Sequence, residues 1–305
     1  MVKTVVSSVV FSLALAASAL AHGSTNVSID SGRQVESCGD VRITFDFREA
    51  ERAEDSFTLP GGAGPFRVDL PANSAIRVSG WDRNEFAVTA CKAARDARSL
   101  AAIRISQEGS GLGVVGPRGE DWLVFLIVKA PRKAALDLAA KNGSIGVEET
   151  SGPVAARTVN GPIEISTSSG EIHASATNGP VSIDDCTGSG DARAVNGPIS
   201  ISGSSGAFRL NTENGPISVE LRGDRWRDGS LEARAVNGPL NLRLPETYRS
   251  GVVVESLGHG PVSCPSSCRA ARRTFDDDGR RIEFGDLEPV VRLSTRNGPV
   301  SIETN

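Results

Sequence analysis

The chemistry-bearing residues of this 305-residue chain are sparse, apart from one set that recurs. The three histidines, His22, His173 and His259, have no cysteine or carboxylate at the spacing a metal site uses. Asp184 and Asp185 are adjacent, so on a strand they point to opposite faces, and Glu220 repeats the position of Asp184 two repeat units later. Neither arrangement is the facing carboxylate pair that glycoside hydrolysis needs. Asp276-Asp277-Asp278-Gly279 is dense in charge but lacks the alternate spacing of a calcium loop. A Gly-x-Ser-x-Gly elbow between a strand and a helix is not found either. What does recur is cationic: Arg157, His173, Arg193, Arg209 and Arg234, a set suited to holding anionic groups and not to catalysis. No metal site and no cofactor are expected.

The elements that would position these residues follow from a repeat. Asn-Gly-Pro occurs at Asn160, Asn178, Asn196 and Asn214, each 18 residues after the last. Each unit divides into two nine-residue halves, one opened by Asn-Gly-Pro and the other by a Ser-Gly-type corner. In both halves the fourth and sixth positions are apolar and the fifth and seventh mostly polar, the alternation of a strand with one buried face. Glycine opens each corner, and proline excludes a helix there. The reading is an all-β parallel solenoid of about eight 18-residue coils, with half-repeats opening at residues 133, 151, 169, 187, 205, 228, 250 and 288. Insertions fall at 223–227 and 268–287, within a regular part spanning 133–305.

Asn142, Asn160, Asn178, Asn196, Asn214, Asn237 and Asn297 then fall in one corner column, where stacked amides set the register, and His259 takes that place once. Sorting outward positions by half separates charge. The Ser-Gly halves carry the five cationic residues above and Arg292, offset by Asp137, Asp191 and Glu232. The Asn-Gly-Pro halves carry Glu148, Glu164, Asp184, Glu220 and Glu303 among serines, with Arg243 as the exception.

Residues 1–21 have the layout of a cleavable secretory signal: Lys3, an apolar run, then Ala19-Leu20-Ala21 before His22. The apolar stretch is shorter than the ~20 residues of a membrane-spanning helix, so the mature chain is expected to have no transmembrane segment. Residues 22–132 read as a β-rich part off the beat, irregular opening coils or a cap, with strands at 41–47, 66–70, 75–81, 85–92, 100–107 and 122–129. The five cysteines of an exported chain suggest disulfides, preferably Cys38 with Cys91 and Cys264 with Cys268, leaving Cys186 over. A formal net charge of −4 gives no basis for nucleic-acid binding.

Arg67-Val-Asp-Leu-Pro, Ile76-Arg-Val-Ser-Gly-Trp-Asp, Val128-Lys-Ala-Pro, the Asn-Gly-Ser and Asn-Gly-Pro turns and the closing Leu293-Ser-Thr-Arg-Asn-Gly-Pro-Val-Ser-Ile together resemble an exported bacterial putative-adhesin family of unknown function. The resemblance covers about residues 60–305 and implies a β-solenoid; it supplies no catalytic motif. The expected protein is an exported, non-catalytic, adhesin-like binding or structural module of the bacterial envelope, in the periplasm or at the cell surface. Its expected partner is an anionic envelope glycan or lipid surface. The alternatives are a carbohydrate-active enzyme on a β-helix and a self-associating envelope scaffold.

In the Asn-Gly-Pro halves the sixth position holds Ile165, Ile183, Ile201 and Val219, where a calcium-binding roll would place aspartate. The circular dichroism spectrum and melting temperature should therefore be unchanged by excess EDTA; loss of the β signal on chelation would contradict this frame.

Overall fold

The computed structural model describes residues 25–29, 35, 37–45, 48–62, 64–71, 73–119, 121–258, 260–264, 271–276, 279–285 and 287–304. The signal segment, His22, His259, Cys268, Asp277 and Asp278 lie outside them. The chain is all-β, with two long sheets of 12 and 13 strands built mainly of parallel pairs, and a separate sheet of 3 strands. From Leu136 to Ser263, consecutive strands alternate between the two long sheets. Ser-Gly halves supply the 13-stranded sheet and Asn-Gly-Pro halves the 12-stranded one. Val154–Asn160 pairs with Glu171–Asn178 in a register offset by one full repeat, and Ile163–Ser166 pairs with Val181–Asp184 likewise.

The alternation in the sequence becomes burial in the central repeats, where Gly190 alone among the fourth and sixth positions is half-buried. Ala156, Ala174 and Ala192 of one sheet and Ile165, Ile183 and Ile201 of the other are all within a few per cent of full burial, in one continuous core. Small residues opposite large ones let two flat sheets approach closely. The two kinds of corner use glycine for different reasons. Gly170, Gly188 and Gly206 have φ of +97°, +99° and +109°, a conformation that a Cβ disfavours. At the Asn-Gly-Pro corners the requirement is contact: a Cβ on Gly179 would lie 2.0 Å from the carbonyl oxygen of Gly161.

Chain order and stacking order diverge at both ends. The last repeat, Pro289–Asn297 and Val300–Thr304, does not lie at the end of the stack. Pro289–Asn297 is held between Leu231–Asn237 and Gly251–Ser256, and Val300–Thr304 between Leu240–Leu244 and Val262–Ser263. The chain thus passes over one position, forms the outer strand pair, and returns to fill the gap. The 268–287 insertion includes a hairpin, Arg272–Asp276 with Gly279–Phe284, that runs antiparallel along Gly251–Ser256 and closes that sheet. Clean repeat geometry goes where both edges need parallel partners; the irregular segment goes to the outside.

The N-terminal end uses the same device, within the stretch 22–132 read as irregular opening coils or a cap. Phe66–Leu70 pairs directly with Leu136–Asn142, and Ala75–Trp81 with Ile145–Glu148. Regular pairing therefore extends well upstream of residue 133. Outside this pair lie Gly111–Val115 and Trp122–Pro131, made later in the chain. Antiparallel strands Glu85–Ala94, Glu51–Pro60 and Arg104–Glu108 close the stack. Glu51–Pro60 escapes a sequence reading because it is an exposed edge rich in charge, which discourages pairing with another chain. The expected strand at 100–107 is replaced at its start by a helix, Ala97–Ala102. Asp96 caps it by accepting a hydrogen bond from the Ser99 amide at 2.9 Å.

Trp122–Pro131 is apolar on both faces because both are covered. Its inner face joins the main core. Its outer residues Leu123, Phe125 and Ile127 meet Val41, Ile43 and Phe45 of the small sheet formed by Thr25–Ile29, Val41–Phe45 and Arg48–Glu49. A disulfide from Cys38, just before the small sheet's Val41–Phe45, to Cys91 of the neighbouring strand Glu85–Ala94 ties that sheet to the stack, a loop closure that contributes roughly 2–4 kcal/mol. Cys264 is also disulfide-bonded. Cys186 is a free, buried thiol whose pKa is pushed up to about 11 by burial, so it is inert as a nucleophile. The 223–227 insertion is not a solvent loop: Trp226 is buried, and its indole nitrogen donates to the Gly206 carbonyl at 2.7 Å.

A chain terminus at the end of a stack frays, whereas one held on both sides does not. In native-state hydrogen exchange, the amides of Val291, Leu293 and Thr295 should be at least as protected as those of Val252 and Val254, despite lying nearer the chain end. Faster exchange in the last repeat would contradict its internal position.

Candidate binding faces

On the outer face of the Ser-Gly sheet the predicted cations fall in two columns. Arg157, Arg193 and Arg234 share one, separated by Ser175 and Asn211. His173 and Arg209 stand in the other, with Asp137, Asp191, Glu232 and Arg292. They do not form a single row. Nor is the face simply basic, because each carboxylate sits between two cations. Asp137 bridges Arg67, at 3.4 Å, and Arg157. Asp191 accepts from His173 Nδ1 at 2.6 Å and pairs with Arg193 at 3.1 Å. Glu232 joins Arg209, at 3.5 Å, to Arg234.

These pairs neutralise much of the excess charge that sorting by sequence suggests. They do not cover the cations: the side chains of Arg157, Arg193, Arg209 and Arg234 remain between 56% and 76% exposed. Exposed pairs of this kind contribute little to stability, so the guanidinium groups stay available to an incoming anion. Arg193 and Arg209 come together around a hollow of about 300 Å³, bordered by Asp191 and Asn211. Arg67 belongs to the same face and was missed, since its segment had been read as off the repeat.

The opposite face, on the Asn-Gly-Pro sheet, carries a longer feature. A trough of about 890 Å³ runs along the stack from Arg77 to Ser301, with Ser182, Ser200 and Ser218 along its middle. Ser200 Oγ donates to Ser182 Oγ at 3.0 Å. Arg222 lies against Asp184, Asp185 and Glu220, at 3.2, 2.5 and 3.5 Å. Burial alone would lower its pKa, but the three carboxylates raise it. Among the described residues no group of three or more His, Cys, Asp or Glu could hold a metal ion.

The asparagine column is continuous. Asn160 Nδ2 donates to Asn142 Oδ1 at 2.8 Å, and Asn178, Asn196 and Asn214 each repeat the bond to the residue before, at 2.9 to 3.0 Å. Asn237 donates to Asn214, and Asn297 to Asn237, so the ladder follows stacking order and not chain order. At about 1 kcal/mol or less per exposed amide bond, its contribution is to register more than to stability.

No family model and no curated protein matches the chain. Two of the solved structures that show similarity are bacterial proteins. A putative cell adhesion protein from Clostridium sporogenes is 11% identical, with a TM-score of 0.24, and the match covers 84% of this chain and 100% of that one. A putative adhesin from Bacteroides fragilis is 8% identical, with a TM-score of 0.28, covering 84% and 97%. Likeness this slight carries no argument about this chain. Among the described residues no helix is long and apolar enough to cross a membrane.

The hydrogen bond to Asp191 raises the His173 pKa above its ordinary 6.5, against the opposing effect of partial burial, with Glu171 adding to the rise. The stability this pairing contributes is present below pH 6.5 and lost as pH rises through the higher folded value. An NMR titration of the His173 ring should give a midpoint above 6.5, and Asp191→Asn should move it down; an equal midpoint in both would show that Asp191 does not set it.

Proposed function

We propose that the chain is an exported, non-catalytic β-solenoid, the strand pairs between residues 136 and 304 winding as eight coils, that serves as an adhesin-like binding module of the bacterial envelope. The observation that carries this reading is the outer face of the Ser-Gly sheet. Four exposed arginines stand there on a flat parallel scaffold, two of them flanking a hollow. A guanidinium is weakly hydrated and presents its donors in a plane that matches carboxylate and phosphate oxygens. Arginines repeated at multiples of the ~4.8 Å strand spacing meet several such groups along one polymer or membrane surface at once. The ligand of this face is thus an anionic envelope polymer, a glycan or a lipid surface.

Two further observations support a binding role over the alternatives. Asp184 and Glu220, the nearest approach to a carboxylate pair, are both occupied by Arg222, which stands where a scissile bond would have to enter. Both ends of the Ser-Gly sheet are closed by antiparallel strands, so end-to-end growth into a scaffold would have to displace them.

Replacing Arg157, Arg193, Arg209 and Arg234 together by Ser should leave the far-ultraviolet spectrum unchanged and reduce retention on an anionic glycan column or on anionic vesicles, run in parallel, by about tenfold or more at low salt. Wild-type retention should itself weaken as added salt shortens the Debye length below ~8 Å. The converse variant, Asp137→Asn with Asp191→Asn and Glu232→Gln, frees the same guanidinium groups and should bind more tightly. Retention unchanged in both variants would remove the electrostatic reading.

A further inference from the structure

The trough on the Asn-Gly-Pro sheet has a chemistry distinct from that of the arginine face. We propose that it is a second binding site, shaped for an extended, uncharged, hydroxyl-rich glycan strand lying along the stack.

Charge decides against an anionic ligand. Each arginine of the trough is already met by a carboxylate: Arg77 by Glu148 at 2.9 Å, Arg243 by Glu303 at 3.0 Å, and Arg222 by Asp184 and Glu220. Arg77–Glu148 and Arg243–Glu303 stand toward opposite ends of the stack and Arg222 beside its middle, and the floor column between them runs Glu164, Ser182, Ser200, Ser218 and Asn241. A serine hydroxyl both donates and accepts. Ser182 and Ser200 are linked to each other, whereas the exposed Ser218 hydroxyl makes no hydrogen bond within the described protein. The floor therefore offers hydrogen-bond donors and acceptors together with the unneutralised carboxylate of Glu164 beside Ser182, which repels an anionic polymer and can accept from the hydroxyls of a neutral sugar.

Geometry decides between a glycan and a peptide. An extended peptide gains its main-chain bonds from a free sheet edge, but the floor strands Val181–Asp184, Ile199–Gly203 and Ile217–Leu221 are paired on both sides. The apolar residues that border the middle of the trough, Ile163, Ile183, Ile201 and Val219, are turned into the core and at most 3% exposed, so they offer little to a peptide's apolar side chains. The floor repeats every ~4.8 Å along the stack, close to the length of one pyranose ring in an extended chain, so successive serines meet successive sugars. A volume of about 890 Å³ lies within the range of small-ligand sites and leaves room for several rings.

The test uses the full mature chain in native gels containing soluble neutral polymers: hydroxyethyl cellulose, xylan and glycol chitin. Mobility should be retarded by at least one of them, and retardation should persist at salt concentrations that abolish binding to the anionic column. Ser200→Tyr and Ser218→Tyr each fill the floor from a solvent-facing position. Each should weaken retardation by about tenfold or more with an unchanged melting temperature. The Arg157, Arg193, Arg209 and Arg234 variant should bind the neutral polymer as wild type does, which separates this site from the arginine face. The proposal is overturned if none of the three polymers retards the folded wild-type chain, if both tyrosine variants bind as wild type does, or if the arginine variant loses binding as they do.

Discussion

Each Asn-Gly-Pro corner rests on the one before it with no room for a side chain. A Cβ on Gly197 would meet the Gly179 carbonyl oxygen at 2.1 Å, and one on Gly298 would meet that of Gly238 at 2.0 Å. Corners stacked this closely cannot shift by a residue, because slipping would drive proline or asparagine into that contact. The asparagine amides beside the glycines then bond in a single ladder, fixing the same register again. With corners locked, fifth positions align with fifth and seventh with seventh on both sheets. Every surface property discussed above depends on those columns.

The same lock explains how the ends are built. A repeat with the proper corner can be inserted wherever two such corners stand one position apart, whatever its place in the chain. Asn297-Gly298-Pro299 fits against Asn237-Gly238-Pro239, and the strands on either side follow. The irregular segments, unable to satisfy both neighbours, are left outermost, where antiparallel strands cover them. Interior repeats thus gain two parallel edges each, and exposed edges fall to strands with charge or proline, such as Glu51–Pro60.

The two faces differ because strict columns place unlike residues side by side. On the Ser-Gly face, aspartate or glutamate in one column reaches cations in the next, giving long side chains that are paired yet exposed. On the other face, the ionic pairs stand apart and serine occupies the middle, so a trough remains between them. One scaffold presents a charged surface and a hydrogen-bonding surface back to back across a thin apolar core.

The sequence by itself determined the strands of the central repeats, their inward residues and the asparagine column, since each depends only on a local pattern repeated at constant spacing. Ile165 and Ile183 could be placed inside, and Arg157 and Arg193 outside, from alternation alone. It did not show that Phe66–Leu70 belongs with Leu136–Asn142, or that the last repeat lies inside the stack. Those are pairings between segments far apart in the chain, chosen by which free edges remain once the central repeats have stacked. Nor did sorting residues by half-repeat reveal that Asp137, Asp191 and Glu232 each join two cations. Whether a charge stands free is decided by distances between neighbouring strands, and those exist only in the folded protein.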